Sequence, residues 1–116
     1  MLVIDGSEVI SRLFAEYFVK RGWCVAACGD RESAVERLAG SEHYDAILVG
    51  NRVPGTTGVQ LVRLIRALDH RKVAAVVMVS SSGEVTEEAL AAGADEVMLR
   101  PINPHALGWV VDKHVS

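Results

Sequence analysis

Five short apolar runs divide the chain, at residues 2–4, 24–27, 46–49, 74–79 and 96–99. They are nearly continuous in hydrophobicity instead of alternating with polar residues. That pattern suits strands of a parallel sheet covered on both faces. Between them, apolar residues return at helical spacing. Val9, Ile10, Leu13, Phe14, Tyr17 and Phe18 form one stripe, and Gly22 is a natural stop. Asp30 can cap the next helix, whose apolar face is Ala34, Val35 and Leu38, with Gly40 behind it. Thr57 and Gln60 have the spacing of a capping box, in which the hydroxyl and the amide each satisfy a free backbone N–H. Val62, Ile65 and Leu68 continue that helix. A shorter helix over about 84–92 ends at Gly93. Asn103 and Pro104 begin the last one, with Leu107, Val110 and Val111 inward.

This gives five strand–helix units with short connections and no linker, repeat or low-complexity stretch. Since a parallel crossover is right-handed, the pattern predicts an α/β fold: a doubly wound, flavodoxin-like, five-stranded parallel sheet of order 2-1-3-4-5 with five helices, as one domain over residues 1–116. In such sheets the functional crevice lies beyond the carboxyl ends of the strands. The residues there are Asp5 and Gly6, then Gly50, Asn51 and Arg52, then Ser80 and Ser81, then Arg100 and Pro101.

Composition narrows the function. Half of the 116 residues are hydrophobic and 23% are charged, so the chain can bury a core. The formal net charge of −3 counts against direct nucleic-acid binding, which usually shows as a basic excess. No apolar run approaches the roughly 18 residues of a membrane span, and the start lacks the pattern of a signal peptide; a cytoplasmic location is expected. Cys24 and Cys28 fall in one predicted strand, which would set their Cα atoms roughly 13 Å apart, beyond the disulfide limit of about 7 Å. They read as two buried thiols. His43, His70, His105 and His114 lack mutual metal-ligand spacing and read as surface residues. Trp23 and Trp109 suit either core packing or an interface.

The segments LVIDGSEVI, YDAILVGNRVPGTTGVQLVRLIRA, AAVVMVSSS and AAGADEVMLRPINP together resemble the signature blocks of bacterial response-regulator receiver domains, in order and across essentially the whole chain. The resemblance implies a CheY-like domain of two-component signal transduction. Such receivers phosphorylate an aspartate at the end of the third strand and hold Mg²⁺ with two acids after the first. A Ser or Thr after the fourth strand and a Lys after the fifth contact the phosphoryl group. Here the acceptor position falls on Gly50 and the acidic pair on Asp5 and Gly6. The hydroxyl falls on Ser80, the lysine on Arg100 before Pro101, and the carbonyl that helps hold the metal on Arg52. The aromatic switch position is Val97.

Glycine has no side chain to phosphorylate. One carboxylate beside two guanidinium groups is a poor Mg²⁺ site; no metal and no cofactor are expected, and an Asp5–Arg100 pair is expected in their place. Ser80 equally suits turn and cap chemistry, and Arg52 reads chiefly as a solvated loop residue. The chain therefore reads as a pseudo-receiver acting as a phosphorylation-independent protein-interaction module. Its expected contact is a protein partner or a second copy, through the face of the fourth helix, fifth strand and fifth helix. The alternative is an anion or small-ligand sensor using the vacated cleft. No nucleophile–base pair, dinucleotide loop or metal cluster argues for an enzyme.

Overall fold

In a strand, neighbouring side chains point to opposite faces, so a fully apolar strand needs two covers. The computed structural model, which describes residues 1–115, supplies both. The main sheet consists of β1 (Leu2–Ile4), β2 (Ala26–Cys28), β3 (Ala46–Gly50), β6 (Ala75–Ser80) and β7 (Glu96–Leu99). The strands lie in the order β2-β1-β3-β6-β7, all parallel. In terms of these five strands, this is the 2-1-3-4-5 order read from the sequence. A two-stranded antiparallel hairpin, β4 (Arg52–Val53) and β5 (Thr56–Thr57), follows β3. It turns at Gly55, whose φ of 89° favours glycine.

The five helices are α1 (Glu8–Lys20), α2 (Arg31–Ala39), α3 (Gly58–Ala67), α4 (Thr86–Ala92) and α5 (Pro104–His114). On one sheet face Leu2, Ile4, Ile47, Val49, Val76 and Met78 pack with Leu38 of α2, Val62 and Ile65 of α3 and Ala89 of α4. On the other, Val3, Leu48, Val77 and Val79 pack with Phe14 and Phe18 of α1 and Leu107 and Val111 of α5. The caps read from the sequence form. Asp30 accepts from the Ser33 N–H, the Thr57–Gln60 capping box is complete, and Asn103 accepts from the His105 N–H.

Several expectations are corrected. β2 begins two residues later than its apolar run, because pairing with Leu2–Ile4 sets its register. Cys24 consequently lies outside the strand and is exposed. Cys28 is half-buried, and loss of solvent pushes its thiol up to about 11. In α1, Val9 and Leu13 face solvent, since only the arc holding Ser11, Phe14 and Phe18 reaches the sheet. His114 is half-buried rather than exposed, held by Glu96.

Candidate functional site

The crevice at the carboxyl ends of β1, β3, β6 and β7 is an open cleft of about 580 Å³. It is built on four strand ends. Asp5 follows β1, and its Oδ1 accepts from the Ser7 N–H at 2.8 Å, fixing the turn into α1. Arg100 follows β7, 95 residues away, and its Nη2 donates to Asp5 Oδ2 at 2.6 Å. The Asp5 side chain is only 7% exposed and that of Arg100 28%, so this pair is sheltered from solvent on one side and open on the other. The bond that follows, Arg100–Pro101, is cis. Pro101 itself is exposed and does not line the cleft.

Gly50 ends β3 beneath this pair. A Cβ on Gly50 would stand 2.8 Å from Asp5 Oδ2 and 3.1 Å from its Cγ. The volume directly over Gly50 is thus filled by the Asp5 carboxylate. Gly6 shows a second close approach: a Cβ there would lie 3.0 Å from both the Arg52 carbonyl oxygen and Pro54 Cδ. The missing side chain at residue 6 lets the loop of residues 52–54 settle against the end of β1. Both glycines are therefore packed positions, with neighbours occupying the space a side chain would take.

Ser80 is fully buried and turned away from the cleft. Its Oγ donates to the Ser82 carbonyl at 2.8 Å and accepts from the Ser82 N–H at 3.1 Å, a local turn after β6. Of the serines that follow β6, Ser81 and not Ser80 lines the cleft. Arg52 is exposed, lies on the cleft wall and makes no side-chain ion pair among the described residues. Ser7, Asn51, Thr56 and Thr57 complete the polar lining. Of these, Asn51 was a strand-end residue in the sequence, whereas Thr56 and Thr57 arrive through the β4–β5 hairpin, which is too short to leave a hydrophobic period. Among the described residues, no three His, Cys, Asp or Glu side chains gather closely enough to share a metal ion.

The sequence and fold both have close parallels. Residues 1–112 match the family described as the response regulator receiver domain. The chain is 29% identical over 109 residues to Protein PetR of Rhodobacter capsulatus, covering 92% of this chain and 44% of that protein. It is 28% identical over 103 residues to a cyclic di-GMP phosphodiesterase of Thermotoga maritima, covering 89% of this chain and 27% of that protein. The chain thus spans less than half the length of these relatives. In three dimensions it is similar to a CheY-like response regulator receiver domain protein of Methanospirillum hungatei, with a TM-score of 0.90 at 22% identity, over 98% of this chain and 90% of that one.

Proposed function

As the chain belongs to the response regulator receiver domain family of two-component signalling, we propose that it is a pseudo-receiver, one that presents its signalling surface without being phosphorylated. The observation that carries this is the filled position over Gly50. The acceptor site has no side chain, and the space above it is taken by a carboxylate already committed to Arg100 and to the Ser7 N–H.

The donor set does not suit Mg²⁺. A hard cation of that size needs near-octahedral oxygen ligands, usually including one or two carboxylates. Asp5 is the only carboxylate in the cleft lining, and the room over Gly6 for another is closed by the Arg52 carbonyl and Pro54. Ser80 spends its hydroxyl on its own turn. Nothing in this arrangement accepts a phosphoryl group or releases one, and no catalytic step is assigned.

The surface that would carry the signal is the α4–β7–α5 face. Leu90, Leu99 and Trp109 are 46%, 52% and 66% exposed there, one on each element. Large apolar side chains on three adjoining elements suit a protein contact, and an aromatic often anchors one. The domain acts through a protein partner or a second copy, not through nucleic acid or a membrane.

The test is incubation with acetyl phosphate and Mg²⁺ followed by intact-mass spectrometry. The expected result is an unmodified chain. A covalent phosphoryl adduct would overturn the reading and require a different acceptor.

A further inference from the structure

A surface helix normally carries polar residues on the arc that faces away from the core. α1 departs from this. Val9, Leu13 and Val19 are each more than half exposed, so one helix holds three of the seven exposed large hydrophobics among the described residues. The charges beside them are ordered. Glu8, Arg12, Glu16 and Lys20 follow at every fourth position, all exposed, and share with the apolar three an arc of about 140°. The other side of the helix is anchored. Phe14 and Phe18 pack on the sheet, while Tyr17 and Arg21 reach His105 and Asp112 of α5. The exposed arc is therefore presented on a helix held firmly from behind.

The order of the four charges is self-complementary. Along the helix it runs acid, base, acid, base, with its midpoint at Phe14. Turned end for end against a copy of itself, the row sets Glu8 beside Lys20 and Arg12 beside Glu16, so every charge meets its opposite. Laid parallel and in register, every charge meets its like. We propose that the exposed face of α1 is a contact surface for a second copy of this chain, the two helices packing antiparallel about a two-fold axis beside Leu13. The proposal does not depend on how Gly50 or the α4–β7–α5 face is read.

The commonest helix packing lays the i±4 rows of two helices alongside each other, crossing at about −50°, and the charged row is such a row. A two-fold axis makes each contact reciprocal, so the Glu8–Lys20 and Arg12–Glu16 pairs each form twice. Leu13 meets its own copy near the axis, and Val9 and Val19 flank the charged row on its two sides. Within one chain these charges are little used. Glu8 and Arg12 stand 3.9 Å apart, and Glu16 and Lys20 make no ion pair among the described residues. Pairing along the helix at i, i+4 explains alternating charge but not the apolar side chains beside it. A second helix accounts for both. A helix of 13 residues is about 20 Å long, so the contact falls at the small end of specific interfaces, below about 1,200 Å². The dimer is accordingly weak and reversible.

The experiment is sedimentation equilibrium of the full chain over a range of concentrations, in a Trp109→Glu background that removes the aromatic anchor of the α4–β7–α5 face. A concentration-dependent dimer is expected to remain there. Arg12→Glu sets acid against acid at both copies of its pair, and Glu16→Arg sets base against base. Each should weaken the dimer about tenfold, attraction giving way to repulsion at two exposed pairs. The melting temperature should stay within a few degrees, because both residues are exposed. An equimolar mixture of the two variants should recover the parent strength as a mixed dimer, each supplying the charge the other lacks. Arg12→Glu and Glu16→Arg combined in one chain should recover it as well, although two of the i, i+4 neighbours along the helix then carry like charges. A monomer at all concentrations in the Trp109→Glu background would overturn the contact. So would single variants that associate as tightly as the parent, or a mixture that stays as weak as its components.

Discussion

At the scale of single residues, Gly50 and Asp5 form a matched pair. The carboxylate occupies the space a side chain at 50 would need, and it is short and doubly held, so it has little freedom to retreat. Gly50→Ala should therefore destabilise the fold by about 1–3 kcal/mol, the usual cost of one extra carbon in a filled site. In an Asp5→Ala background the same substitution should cost much less, because the obstruction is gone. Urea denaturation of the four chains closes the cycle. Equal costs in both backgrounds would mean that the crowding comes from backbone and not from Asp5. The Asp5–Arg100 contact was legible in the sequence because the strand-end rule puts residues after β1 and β7 on one rim, and opposite charges that meet there pair. The direction of Ser80 was not legible. Its hydroxyl has a choice between the cleft and the Ser82 backbone, and only the path of the following loop decides it.

At the scale of elements, the side chain that holds the most backbone together was invisible in the sequence. Arg71 is 1% exposed and sits at the end of a 3₁₀ turn after α3. Its guanidinium donates to the carbonyls of Arg37, Leu38, Gly40 and Glu42 and lies over the Tyr44 ring. It thereby satisfies the free carbonyls at the end of α2 and fixes the loop into β3. Lysine has three donors on one point and cannot reproduce this fork. Arg71→Lys should cost roughly 2–4 kcal/mol, one or two buried carbonyls losing a charged donor, read from the urea midpoint. A loss below half a kilocalorie would show that the loop finds other donors. Periodicity finds α2 and β3 because their apolar residues repeat. It cannot find a polar residue whose partners lie some thirty positions away, nor a hairpin of two-residue strands.

The link between β7 and α5 gives a pH dependence. The hydrogen bond from His114, and then that from Lys113, hold the Glu96 carboxyl below its usual 4.5. A carboxyl with a depressed folded-state value contributes stability above its unfolded value and loses it as pH falls through the folded one. The difference in unfolding free energy between the natural chain and Glu96→Gln should narrow as pH falls below about 4.5 and vanish below the folded carboxyl's value. Denaturant curves across that range decide it. A gap that widens on acidification would mean the wrong group has been assigned.

At the scale of the whole molecule, the proposed pseudo-receiver reading has a consequence for the surface, because in it the cleft does not gate the α4–β7–α5 face. Leu90, Leu99 and Trp109 leave apolar area in water on α4, β7 and α5, while the ion pairs of Glu96 with Lys113 and His114 brace β7 against α5 without covering it. If phosphorylation does not set the state, then association through this face depends on concentration alone. Sedimentation velocity over a range of concentrations should show reversible self-association that is the same with and without acetyl phosphate and Mg²⁺. Leu99→Glu and Trp109→Glu should each reduce it, because burying a carboxylate at an apolar contact is costly. Both should leave the melting temperature within a few degrees, since exposed substitutions usually change stability by about half a kilocalorie or less. A chain that stays monomeric at all concentrations sends the same face to a different protein, with the same two variants as its test. Association that responds to the phosphodonor would instead return control to the cleft, where the Asp5–Arg100 pair would have to open to transmit it.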